Sequence, residues 1–66
     1  MLEQYKGQTV TLWFKVEGSM VRISNELEWS NEQNQWFVRG QGSDTYFNAS
    51  QVANVHVYDK IEIFLK

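Results

Sequence analysis

The sequence predicts an all-β fold: a five-stranded small barrel with a short N-terminal helical turn and a second helical turn before the last strand. Three observations carry that expectation. Apolar residues recur at every second position through most of the chain, the period of a half-buried strand and not the 3.6 of a helix. Proline is absent from all 66 residues, which permits nearly continuous backbone pairing. An open sheet of this size would also leave aggregation-prone edges, and rolling into a barrel removes them.

The elements follow in order. Leu2 and Tyr5 lie three apart, and Gly7 closes a short helical turn. Val10, Leu12, Phe14 and Val16 then fall on even positions, with Thr9, Thr11 and Lys15 between them. After Glu17-Gly18-Ser19 the parity changes to odd, with Val21, Ile23, Leu27 and Trp29 interleaved with Arg22, Ser24, Glu26 and Glu28. The polar stretch from Ser30 to Gln35 makes a loop, after which Trp36 and Val38 alternate with Phe37 and Arg39. Gly40-Gln41-Gly42-Ser43-Asp44 is the clearest turn signal. Thr45 and Phe47 follow on one face, Tyr46 and Asn48 on the other. Alternation breaks at Asn48–Ala53, where Asn48 or Ser50 caps a single helical turn. Val55, Val57, Ile61, Ile63 and Leu65 complete one last strand on odd positions, with a kink or bulge at Asp59-Lys60.

Composition bounds what such a chain can do. A length of 66 residues gives one domain, spanning 1–66. Ordering it costs on the order of 100 kcal/mol, which burial must nearly offset. There is no cysteine, which excludes disulfides, thiolate zinc sites, iron–sulfur clusters and thiol nucleophiles. Six Lys and Arg stand against eight Asp and Glu, a net charge of -2 with an isoelectric point near 5.2. That balance lacks the basic stripe by which proteins grip long duplex nucleic acid. No apolar run approaches the roughly 18 residues of a membrane span, and the first residues lack a signal-peptide layout, so a cytoplasmic protein is expected. The anomaly is aromatic content: ten residues, three of them Trp.

The order of short helix, Gly, strand, tight turn, strand, loop, strand, turn, strand, helical turn, strand resembles the SH3-like and Sm-like (Hfq-like) small barrels. Gly7-Gln8-Thr9-Val10-Thr11-Leu12 is similar to the way Sm-like chains enter their first strand, and Tyr46-Phe47-Asn48-Ala49-Ser50-Gln51-Val52 to the ending of such barrels. The Lys-His pair of Hfq-like chains would fall near Asn48-Ala49 and is absent. The resemblance implies homo-oligomers built through edge strands, and it makes Sm-type RNA binding a third and weaker functional alternative.

With Val10, Leu12, Phe14 and Val16 inside, Trp13 points outward, and the same parity places Phe37, Tyr46, Tyr58 and Phe64 on outer faces. Five outer aromatics on so small a chain mark either a subunit interface or a platform for a planar ligand. A two-residue loop at Glu17-Gly18 sets Trp13 opposite Arg22. A four-residue loop sets Lys15 against Arg22 instead but spares Glu17 a positive φ, so both stay open. In the next hairpin a loop of Gln41–Asp44 pairs Val38 with Phe47 and Arg39 with Tyr46. Two Arg–aromatic pairs result, each a cation–π contact of about 0.5–1 kcal/mol.

Such pairs can sandwich a base and hold a phosphate, and a small nucleotide needs only one or two arginines. The function expected is therefore non-enzymatic: an oligomeric barrel capturing a small nucleotide-type ligand, such as a cyclic nucleotide signal, with no cofactor. Trp13, Tyr46 and Tyr58 stack, while Arg22, Arg39 and His56 meet phosphate or base edges. A protein-interaction module or inhibitor, receiving a partner chain in a pocket or by strand addition, is the rival.

Other constellations carry less. His56 is the only histidine, with no His or Cys to share a metal. Nothing in the spacing of Ser24, His56 and Asp59 makes a nucleophile, base and orienter. Glu26 and Glu28 share a solvated strand face, and Gly40-Gln41-Gly42-Ser43 precedes a strand where a phosphate loop would precede a helix.

Overall fold

A computed structural model describes all 66 residues. The N-terminal 3-10 turn covers Leu2–Tyr5. Six strands follow: β1 (Thr9–Val16), β2 (Ser19–Ser30), β3 (Gln35–Arg39), β4 (Asp44–Phe47), β5 (Val52–Val57) and β6 (Ile61–Leu65), with a second 3-10 turn over Ala49–Gln51 before β5. Both helical turns lie where the sequence places them. The second opens with the Asn48 amide donating to Gln51 Oε1 at 2.7 Å. In the first, the Glu3 carboxyl is held below its usual value of 4.5, mainly by a hydrogen bond from the Met1 ammonium.

The five-stranded barrel is corrected on two counts. There are six strands, and their order β4-β3-β2-β1-β6-β5 leaves β4 and β5 as unpaired ends of a sheet that does not close. The expected last strand folds back on itself through Tyr58, Asp59 and Lys60, with the Tyr58 amide donating to the Lys60 carbonyl at 3.0 Å. Val57 faces Ile61 across this turn. Three intervening residues, an odd number, leave inward residues on odd positions on both sides of the reversal, so side-chain alternation runs through it unbroken. The reversal makes β6 run parallel to β1, pairing Val10 with Ile61 and Trp13 with Phe64.

The first hairpin takes the two-residue loop. Glu17 and Gly18 have φ of 51° and 82°, and Trp13 stands opposite Arg22. Left-handed backbone at both loop residues matches the twist of the flanking strands, though only Gly adopts it without strain. Strand β2 serves two partners in turn: its residues 19–26 pair with β1, and Leu27–Ser30 pair with β3. Leu27 is the handover, donating to the Gln8 carbonyl while its own carbonyl accepts from Gly7.

The curled sheet encloses a core of Leu2, Val10, Leu12, Leu27, Trp36, Val38, Phe47, Ile61 and Ile63. Leu2 is 1% exposed, so the N-terminal turn plugs the sheet with one leucine. Toward the β1–β2 turn the inner face runs out of cover. Phe14 and Val21 are half-buried, and Val16 is exposed.

Candidate functional site

The outer aromatics gather into two arrays of the same composition. The first is built on β1 and its neighbours. The guanidinium carbon of Arg22, from β2, lies 5.6 Å from the Trp13 ring centroid. Phe64, from β6 on the other side, stacks at 5.9 Å with 9° between planes. The indole is thus flanked from both sides, and its Nε1 donates to Glu62 Oε2 at 3.0 Å. The second Glu62 oxygen lies 3.9 Å from His56 Nδ1. Behind this row Thr11 and Ser24 share a hydroxyl hydrogen bond of 2.8 Å. Trp13, Arg22 and His56 come together as parity predicts, but the half-buried indole already carries a guanidinium and a phenyl ring against it and has no free donor. It braces three strands.

The second array lies on β3 and β4. Here the expected register is corrected by two residues: Arg39 faces Asp44, and Phe37 faces Tyr46. The loop is Gly40–Ser43, and it brings the Ser43 carbonyl oxygen to 2.5 Å from where a Cβ on residue 40 would sit, so the position takes glycine. Phe37 and Tyr46 stack at 5.1 Å, and the Arg39 guanidinium carbon lies 5.3 Å from the Phe37 centroid. Covered in this way, Phe37 is buried although it points outward, whereas Tyr46 on the edge strand is 41% exposed. Tyr58 belongs to neither array. It sits in the β5–β6 turn, 88% exposed. The six expected site residues therefore fall into three places and not one pocket.

One feature of the surface escapes sequence reasoning: an open cleft of about 540 Å³ where β2 and β3 part. Its lining is Ile23, Ser24, Asn25, Arg39, Gly40 and Gln41. Asn25 builds the parting. Its Oδ1 accepts the Glu26 amide hydrogen at 2.8 Å, so that amide is not offered to a neighbouring strand. The signal was an inward position, between Ile23 and Leu27, held by a polar residue.

Arg39 lines the cleft with Asp44 as its cross-strand neighbour, and Glu26 follows Asn25. The basic groups with a carboxylate oxygen within 4 Å are the Met1 ammonium, beside Glu3, and the His56 imidazole, beside Glu62, so neither Arg22 nor Arg39 has one. No three His, Asp or Glu side chains gather as a metal site requires. No helix is long and apolar enough to cross a membrane. Comparison with known protein families, with curated proteins and with solved structures returns no match.

Proposed function

We propose that this chain is a non-enzymatic interaction module whose contacts, with copies of itself and with a partner protein, run through unpaired strand edges. The observation that carries the reading is that 66 residues present three such edges: β4, β5, and the first half of β2. Unpaired edges are templates for pairing with another chain. Kinship with the SH3-like and Sm-like small barrels belongs to the same reading. It is supported by the short N-terminal 3-10 turn and by the second 3-10 turn after β4, the two helical turns that the resemblance implies. Homo-oligomers through β4 and β5 would follow from it. Sedimentation velocity tests this. The 7.8 kDa chain is expected to sediment as an oligomer, and Val57→Lys together with Tyr46→Lys to reduce it to the monomer, because charge on an edge blocks pairing. A chain monomeric at every concentration contradicts the oligomer.

A second reading, capture of a small nucleotide-type ligand such as a cyclic nucleotide, is favoured by the position of Arg39. It stands between the Phe37–Tyr46 stack and a cleft lined by hydrogen-bonding side chains. In this reading Tyr46 stacks, Arg39 holds phosphate, and Asn25 and Gln41 meet base edges. Titration calorimetry with mono-, di- and cyclic dinucleotides, with Arg39→Ala and Tyr46→Ala, decides it. Heat unchanged in both variants, or none at all, removes the ligand.

A further inference from the structure

In an antiparallel ladder, successive residues turn their backbone N–H and C=O alternately toward and away from the partner strand. Two bonds fix that phase here. Leu27 bonds Gln8 and Gly7, and Val16 faces Ser19 across the two-residue loop. Odd residues of β2 therefore bond β1, and Met20, Arg22 and Ser24 turn their N–H and C=O the other way. Strand β3 does not meet them, since its pairing stops at Leu27 opposite Val38. Three residues are left with one free donor and one free acceptor each, along the side of β2 that faces the cleft.

We propose that this edge of β2, from Met20 to Ser24, receives an extended strand of a partner protein that carries a carboxylate side chain. The inference rests on the edge-recognition reading and names its site and partner. Main-chain groups of Arg22 and Ser24 supply the pairing. Specificity comes from Arg39, which lines the cleft beside the edge, and from Arg22 on the edge strand, whose guanidinium leans over Trp13 and swings out to meet the incoming strand; neither has a carboxylate within 4 Å. A bond from guanidinium to carboxylate is about twice as strong as one between neutral groups. Of the acidic side chains nearby, Glu17 and Glu26 lie beyond the two ends of the free stretch, and Asp44 faces Arg39 from β4. Two features keep the edge from being filled internally. Asn25 caps the Glu26 amide, and the Gly40–Ser43 turn ends β3 before it can run alongside. A second copy pairing antiparallel about Arg22 would set Arg22 against Arg22, which like charge opposes.

The probe is a blocked heptapeptide, Thr-Val-Thr-Glu-Thr-Val-Thr, added to the full chain and followed by amide chemical shifts. Saturable shifts are expected at Arg22 and Ser24. Replacing the peptide's Glu by Lys should weaken binding about tenfold or more. Methylating alternate peptide nitrogens, which leaves the protein untouched, should abolish it. Ser24→Pro removes one free N–H without touching the β1 ladder and should cost about tenfold or more, while Ser24→Ala keeps the N–H and should bind within about twofold. No saturable shift, equal binding of the Lys peptide, or persistence after N-methylation overturns the proposal. So does a loss of self-association in Ser24→Pro, which would make the occupant a second copy. Oligomers through β4 and β5 stand or fall separately, on sedimentation.

Discussion

The two outer arrays share a recipe, one arginine and two aromatic rings, yet they occupy different positions in the sheet. Arg22–Trp13–Phe64 straddles three consecutive strands, β2, β1 and β6. Arg39–Phe37–Tyr46 ends on β4, a strand with no neighbour beyond it. In the first, the central ring has a neighbour from each adjacent strand and its one donor is used. In the second, the central ring is buried and the terminal one is open. Aromatic content therefore does not locate an open surface by itself; the strand's place in the sheet decides whether a ring is covered or left exposed.

Substitutions sharpen that contrast. The largest effect is expected from Phe37→Ala, about 3–5 kcal/mol, because the ring is 8% exposed and its loss leaves a cavity. For a chain this small, with a total stability of roughly 3–10 kcal/mol, that is a large share. Tyr46→Ala in the same stack should cost only about 1 kcal/mol, mostly the aromatic pair. Denaturant unfolding compares the two, and equal losses would erase the distinction between centre and edge. Trp13→Ala follows at about 2–3 kcal/mol, below a core tryptophan because the indole is half-buried. It should not change the heat of any ligand that Tyr46 binds. Glu17→Asn should stabilise by about 0.5–1 kcal/mol, since Glu17 is held at φ 51° where Asn is the better residue. Smallest are Arg22→Ala and Arg39→Ala, each about 0.5–1 kcal/mol from the lost cation–π contact. Both should weaken the acidic heptapeptide, whereas only Arg39→Ala should weaken a nucleotide.

Much of this was legible from parity. Even and odd runs assigned the inner and outer faces of β1 to β4, and Glu17-Gly18 fixed the Trp13–Arg22 pair once its loop length was known. What was hidden has physical causes. Residues Val55 to Leu65 read as one strand because a three-residue turn between Val57 and Ile61 keeps inward residues on odd positions. The β3–β4 register slipped by two because a shift of two preserves the face of every side chain, so hydrophobic pattern cannot choose between the registers. Closure into a barrel is a long-range property. Here β6 takes the place beside β1 and β5 becomes an edge, an outcome that depends on the unseen reversal.

The central claim is that half of β2 is a free edge, and residue-resolved amide hydrogen exchange on dilute protein tests it most directly. Val21, Ile23 and Asn25 should be protected by their bonds to β1, while Arg22 and Ser24 exchange quickly, an alternation along a single strand. Equal protection across Val21–Asn25 would mean that the edge is already paired, and the account of this surface would be wrong.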